Sequence, residues 1–150
     1  MDLKQQTLSQ ILETATVAAR LAGQRAMEEM DYVKATLKNE TELVTEADRH
    51  CQQIIVDRVK ESFPDHGFIG EEGESGGIFK RAPRGAPEIW WVIDPIDGTN
   101  NFAHGIPIFA VSIGVLYQGR PIAGVVFAPG TESMFTAVHG GEAQLNGRRI

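Results

Sequence analysis

The sequence holds one cysteine, Cys51, in 150 residues. A lone thiol excludes an internal disulfide framework and a cysteine-rich zinc site. No apolar run approaches the ~20 residues needed to cross a bilayer. The N-terminus, Met1-Asp2-Leu3-Lys4-Gln5-Gln6, lacks the charged-then-apolar layout of a signal peptide. A cytoplasmic protein with no membrane partner is the expectation. Dense Lys/Arg blocks are also missing, and Arg148-Arg149 is only a pair. With 14 Lys+Arg against 20 Asp+Glu, the formal charge is −6. That balance argues against nucleic acid as a substrate. There are no repeats, low-complexity tracts or linkers, so residues 1–150 read as one domain. At 42% hydrophobic and 23% charged the composition is that of a globular chain.

Residues 5–30 predict an amphipathic helix: Leu8, Ile11, Leu12, Ala15, Ala18, Leu21, Ala22 and Ala26 recur at three- and four-residue steps. The alanines predict close packing, and Gly23 is expected to be tolerated at modest cost. A second helix is expected with Thr45 as N-cap and Asp48 at N3, an apolar face of Ala47, Cys51, Ile54, Ile55 and Val59, and a stop at Pro64. As N3 of a capping box, Asp48 needs no catalytic role. Phe68-Ile69-Gly70 reads as a short strand leading to Glu71-Glu72. The Gly- and Pro-rich stretch 73–87 reads as a loop. Ile89-Trp90-Trp91-Val92-Ile93 is a continuous apolar run, as in a strand buried on both faces. Phe109–Tyr117, Pro121–Phe127 and Met134–Val138 follow as strands on short connections, which favour antiparallel neighbours. Asn146-Gly147 predicts a hairpin. The chain stops three residues later, and the expectation is an N-terminal piece of a longer protein. The fold class expected is α+β, with N-terminal helices packed on a largely antiparallel sheet.

Asp94-Pro95-Ile96-Asp97-Gly98-Thr99 is the densest chemical cluster. Pro95 keeps Asp94 extended. Asp97 is then expected in the turn, with Gly98 and Thr99 opening a short helix whose free N–H groups suit an anion. Carboxylates repel an anion unless a divalent cation lies between them, and hard oxygen donors suit Mg²⁺. The same residues also suit a plain surface turn. If the 68–70 strand lies beside the 89–93 strand, Glu71 or Glu72 can share a cation with Asp94; otherwise the pair is a solvated acidic loop. His50, His66, His104 and His139 show no ligand spacing and read as structural or surface residues. Lys38 reads as a solvated lysine, and Ser75 and Ser112 lack a nucleophile-elbow context. Gly73–Gly77 is no P-loop, because no Gly-Lys-Ser/Thr follows. Cys51 reads as inert core.

Three segments together resemble the inositol monophosphatase family of lithium-sensitive, Mg²⁺-dependent phosphatases. They are Trp91-Val92-Ile93-Asp94-Pro95-Ile96-Asp97-Gly98-Thr99-Asn100-Asn101-Phe102, Phe68-Ile69-Gly70-Glu71-Glu72-Gly73 and Leu43-Val44-Thr45-Glu46-Ala47-Asp48. The resemblance implies the first layers of that family's α/β sandwich, truncated at the C-terminus. It implies two or three Mg²⁺ ions held by Glu71, Asp94, Asp97 and the Ile96 carbonyl, and a phosphate cradled by the Gly98 and Thr99 N–H groups. By the same likeness Thr99 and Asp48 orient the attacking water, with Glu72 in support. The implied reaction is hydrolysis of a phosphate monoester by activated water, and the implied full-length assembly is a homodimer. Asn100-Asn101-Phe102 points to inositol 1-phosphate over the bisphosphate-nucleotidase branch. Fructose 1,6-bisphosphate, histidinol phosphate and 3′,5′-nucleotide bisphosphates stay as alternatives. So does a non-catalytic interaction module, since some bacterial members act as partners of transcription complexes.

Overall fold

The computed structural model describes residues 3–35, 40–71, 73 and 77–150. Lys38, Glu72 and Ser75 therefore lie outside the described residues. Helix α1 spans Gln5–Ala35, longer than its expected 5–30 because no Gly or Pro follows Gly23 within it. Its inward stripe is Leu8, Ile11, Ala15, Ala18, Ala19, Ala22 and Ala26, each almost wholly shielded from solvent. Alanines bring the helix axis close to what lies beneath. At Gly23 the approach is closer still: a Cβ would stand 2.5 Å from a ring carbon of Phe127. The glycine is thus demanded by packing, which corrects the expectation of mere tolerance.

Helix α2 spans Glu40–Ser62 and begins earlier than expected. Thr45 and Asp48 are interior residues, not N-cap and N3. No Gly or Pro stands between residues 34 and 63, so nothing local stops the helix from starting before the capping pattern. Ala47, Cys51, Ile55, Val56 and Val59 are buried, while Ile54 only flanks the core. Among the described residues no helix is long and apolar enough to cross a membrane.

Eight strands form one sheet: β1 Gly67–Gly70, β2 Phe79–Arg81, β3 Ile89–Asp97, β4 Ala110–Tyr117, β5 Arg120–Ala128, β6 Ser133–Val138, β7 Gln144–Leu145 and β8 Arg148–Arg149. Their spatial order is β2-β1-β3-β4-β5-β6-β7-β8. Among the described residues only β1 and β3 pair in parallel; every other pairing is antiparallel. Asn146 and Gly147 make the β7–β8 turn with φ of 49° and 80°, the positive-φ hairpin expected of Asn-Gly.

Two strand expectations change. β2 lies inside the stretch read as loop. It is three residues long, and distant partners hold it: Arg81 donates to the Pro64 and His66 carbonyls, and Phe79 packs 6.4 Å from Phe68. β3 is not buried on both faces. Trp91 and Ile93 point into the core, whereas Val92 between them is 37% exposed. Both helices pack on one face of the sheet, so the alternate side chains of β3 meet solvent. Trp91 is fully buried, and its Nε1–H donates to His66 Nδ1 over 2.9 Å.

Candidate functional site

β1 and β3 run side by side with Gly67 opposite Trp90 and Gly70 opposite Ile93. Glu71 directly follows β1, and Asp94 is the next residue of β3. Parallel neighbours run toward the same end of the sheet, so the two carboxylates fall at the same end of the β1–β3 pairing. This is the arrangement on which the shared-cation reading depended. Glu71 is exposed; Asp94 is half-buried, with Oδ1 closed off from solvent.

β3 does not stop at Asp94. It bulges between Asp94 and Asp97, and Asp97 pairs with Ala110. Asp97 is thus the last strand residue and not a turn residue, as expected above. Pro95 has no N–H to give a ladder, and a bulge accommodates that without ending the strand. Ile96 turns into the core at 2% exposure, which leaves Asp97 outside.

Gly98 follows with φ 107° and ψ 42°, and helix α3, Thr99–Ala103, begins there. The short helix expected at Gly98-Thr99 is present. Phe102 N–H donates to the Gly98 carbonyl over 3.0 Å, and no side chain caps the first turn. The first N–H groups of α3 therefore have no helical acceptor. Thr99 Oγ1 donates to the Ile96 carbonyl over 3.3 Å. Phe102 anchors the helix, fully buried and edge-on to Phe109 at 5.5 Å and 87°.

Asp48 is buried at 7% exposure on α2, which packs on α1, β3 and α3. One helical turn later, Gln52 is also buried at 6%. A Cβ on Gly70 would run into Gln52 Oε1, so this side chain lies directly over the strand end that precedes Glu71. Sequence reading passed over Gln52. The available signal was a polar residue four positions from Asp48 on an otherwise apolar helix face.

The remaining titratable residues divide as expected. His50 pairs with Glu29, His104 is exposed with Nδ1 against the Asn100 carbonyl, and His139 is exposed. His66 is buried and stacked on Phe63, and burial lowers its pKa to about 4. Burial, then the Glu29 and Asp48 carboxylates, push the Cys51 thiol up to about 12.

Among the described residues, no three His, Cys, Asp or Glu side chains gather closely enough to form a ready-made metal cage. Glu71 follows β1, Asp94 lies in β3 before the bulge, Asp97 lies beyond it, and Glu72 falls outside the described residues. The donors are all hard oxygens, and the Oδ1 of Asp94 is shut away from water. That chemistry fits a small divalent cation.

A helix-backed, largely antiparallel sheet with acidic residues at its one parallel strand end defines the class. The inositol monophosphatase family model matches residues 5–150, and the chain belongs to that family. It is 43% identical over 143 residues to Nus factor SuhB of Pseudomonas aeruginosa, covering 93% of this chain and 51% of that protein. It is 39% identical over 146 residues to inositol monophosphatase 3 of Solanum lycopersicum, covering 96% and 53%. Among solved structures, the extragenic suppressor protein suhB of Bartonella henselae superimposes with a TM-score of 0.79 at 33% identity, covering 93% of this chain and 52% of that one. The inositol monophosphatase of Anabaena gives 0.76 at 32%, covering 96% and 50%. The chain thus spans about half the length of the relatives it matches.

Proposed function

We propose that this chain carries the catalytic strand ends of an Mg²⁺-dependent phosphatase that hydrolyses a phosphate monoester, with inositol 1-phosphate as the substrate. The observation that carries the reading is the parallel register of Gly70 with Ile93, the residues directly before Glu71 and Asp94. Glu71, Asp94, Asp97 and the Ile96 carbonyl are the oxygens that would hold two or three Mg²⁺ ions. A divalent cation held there would supply the positive charge that makes water a nucleophile at neutral pH and that offsets the charge of the phosphate. The Gly98 and Thr99 N–H groups would cradle the phosphate at the N-terminus of α3. With its proton directed at the Ile96 carbonyl, Thr99 Oγ1 has lone pairs free to accept from the attacking water. Asp48, with Glu72 in support, completes the orientation of that water.

The test is phosphate release by the purified full chain with and without Mg²⁺. Its substrates are inositol 1-phosphate, fructose 1,6-bisphosphate, histidinol phosphate and 3′,5′-adenosine bisphosphate. Asp94→Asn keeps shape but loses charge, so Mg²⁺-dependent turnover of the inositol ester should vanish while the thermal midpoint barely moves. Equal release by Asp94→Asn would refute the assignment. Preference for another ester would move the substrate and keep the chemistry. A second reading, a binding role in a transcription complex, is favoured by relatives named Nus factor SuhB. Binding to such a complex that survives Asp94→Asn would support it.

A further inference from the structure

The segment from Gly98 to Phe109 is a closed excursion: it leaves β3 at Asp97 and returns to β4 at Ala110, and those two residues pair. A five-residue helix does not hold itself, so α3 depends on tertiary anchors. Phe102 is one. Asn101 makes the other. Its Nδ2–H donates to the Ile108 carbonyl over 2.8 Å, and its own carbonyl accepts from Ile106 N–H at 2.8 Å and His104 N–H at 3.2 Å. One residue therefore ties both ends of the 104–108 return to the helix.

The atom it grips matters for the site. The Ile108 carbonyl oxygen is also what Gly98 rests against: a Cβ on Gly98 would meet that oxygen at 3.2 Å and Phe109 Cβ at 3.1 Å. Moving the Ile108 carbonyl moves the wall that defines the Gly98 backbone, with Asp97 on one side of it and Thr99 on the other. Behind the return, Gly130 backs onto the Pro107 carbonyl so closely that a Cβ there would collide with it. The return is thus braced from the sheet side by Gly130 and from the helix side by Asn101. The chemistry of the contact selects an amide. A carboxylate would aim an acceptor at an acceptor, and an aliphatic side chain would leave the carbonyl without its donor.

We infer that Asn101 is a positioning residue: by holding the Ile108 carbonyl against Gly98, it fixes Asp97 and Thr99 relative to each other. The inference deepens the phosphatase reading and rests on it for its catalytic meaning. Asn101 itself touches neither water nor phosphate in this account.

Three measurements on the full chain test it, with Asn101→Ala as the perturbation and Gly119→Ala as the comparator. Gly119 has φ 78°, lies in the β4–β5 turn and would place an added Cβ with nothing within 4 Å, so its substitution lowers stability away from the site. In the metal-free chain, amide exchange at Phe102 N–H should accelerate about five-fold in Asn101→Ala beyond any change in Gly119→Ala, the effect of one lost hydrogen bond. The Mg²⁺ dissociation constant, read from the Asp97–Thr99 amide resonances, should rise about five-fold by the same reasoning. Turnover should fall ten-fold or more with KM within about two-fold, as expected for misplaced reacting groups. Asn101→Gln, which keeps an amide at longer reach, should recover part of each. If exchange, Mg²⁺ affinity and kcat in Asn101→Ala match those of Gly119→Ala, the inference falls and the phosphatase reading stands. If the wild-type chain shows no Mg²⁺-induced shift at residues 97–99, the phosphatase reading falls and takes the catalytic meaning of the brace with it.

Discussion

Gly98→Ala is the most informative single substitution, because its cost follows from two separable causes. The first is conformational. Gly98 has φ 107° and ψ 42°, where an L-residue pays about 1–2 kcal/mol. The second is steric. The added Cβ would stand 3.1 Å from Phe109 Cβ, 3.2 Å from the Ile108 oxygen and 3.3 Å from Phe109 Cα. These atoms belong to backbone or sit next to it, so none can swing aside, and overpacking of this kind costs about 1–3 kcal/mol. Together they come to about 3 kcal/mol, or about 6–12 °C in thermal midpoint for a chain of this size. Gly119→Ala supplies the reference. Its φ is 78° and its Cβ would meet nothing within 4 Å. It should lose only the conformational part, about 1 kcal/mol or 2–4 °C. Far-ultraviolet circular dichroism melts on both variants give the comparison directly, and phosphate release adds the functional arm. Gly98→Ala should also lose most Mg²⁺-dependent turnover, since the strain relaxes by displacing Asp97 and Thr99. Equal melting shifts for the two variants would refute the steric argument.

Two further outcomes follow from buried titratable groups. His66 is 8% exposed, and burial holds its pKa near 4 against 6.5 in the unfolded chain, with Asp65 acting weakly the other way. Between those values the unfolded state binds more protons, so stability is complete above pH 6.5 and falls toward pH 4, by roughly 3 kcal/mol at most. His66→Gln keeps an acceptor for Trp91 and should flatten that window in pH-dependent melts; an unchanged slope would refute the attribution to His66. Cys51 is fully buried, donates to the Ala22 carbonyl over 3.4 Å and has its pKa pushed up to about 12. A thiol reagent at pH 8 should therefore label the native chain only at its unfolding rate, and rapid native labelling would contradict the packing.

Much of the fold was legible because it is local. The three- and four-residue spacing of Leu8, Ile11, Ala15 and Ala18 needs nothing beyond the helix itself. Asn146-Gly147 carries its own turn geometry. The errors arose where distant partners decide. Thr45 and Asp48 match a cap pattern, but helix α2 already runs from Glu40, so both lie within it. β2 is a strand because Arg81 reaches the 64–66 carbonyls and Phe79 packs on Phe68, none of which is visible within three residues. The apolar run Ile89–Ile93 does not by itself distinguish a strand covered on two faces from one covered on a single face. The candidate site divides in the same way. Asp94, Asp97 and Glu71 announce themselves by charge, whereas Gln52 and Asn101 look like ordinary polar residues on helices. Their roles reside in what they touch.

On the phosphatase reading, the parallel pairing is what would let those carboxylates act as a group. In an otherwise antiparallel sheet, consecutive strands exit at opposite ends, so residues that follow two neighbouring strands stand a strand length apart. Glu71 follows β1 and Asp94 follows the stretch of β3 that pairs with β1, and only a parallel pair brings such residues to the same end. Achieving it requires the chain to travel back past β1 before entering β3. Residues 71–88 make that return, with β2 laid on the far side of β1 along the way. The Gly- and Pro-rich composition that reads as an unstructured loop is therefore the connection on which the site depends. Lengthening it should matter little to stability, since closure cost grows only slowly with length. Any change that lets β1 slip by one residue against β3 would carry Glu71 away from Asp94. The contact of Gln52 with Gly70 opposes such a slip: it pins the last residue of β1 against a helix already packed on β3. Register, more than the acidic residues alone, sets the carboxylates beside each other.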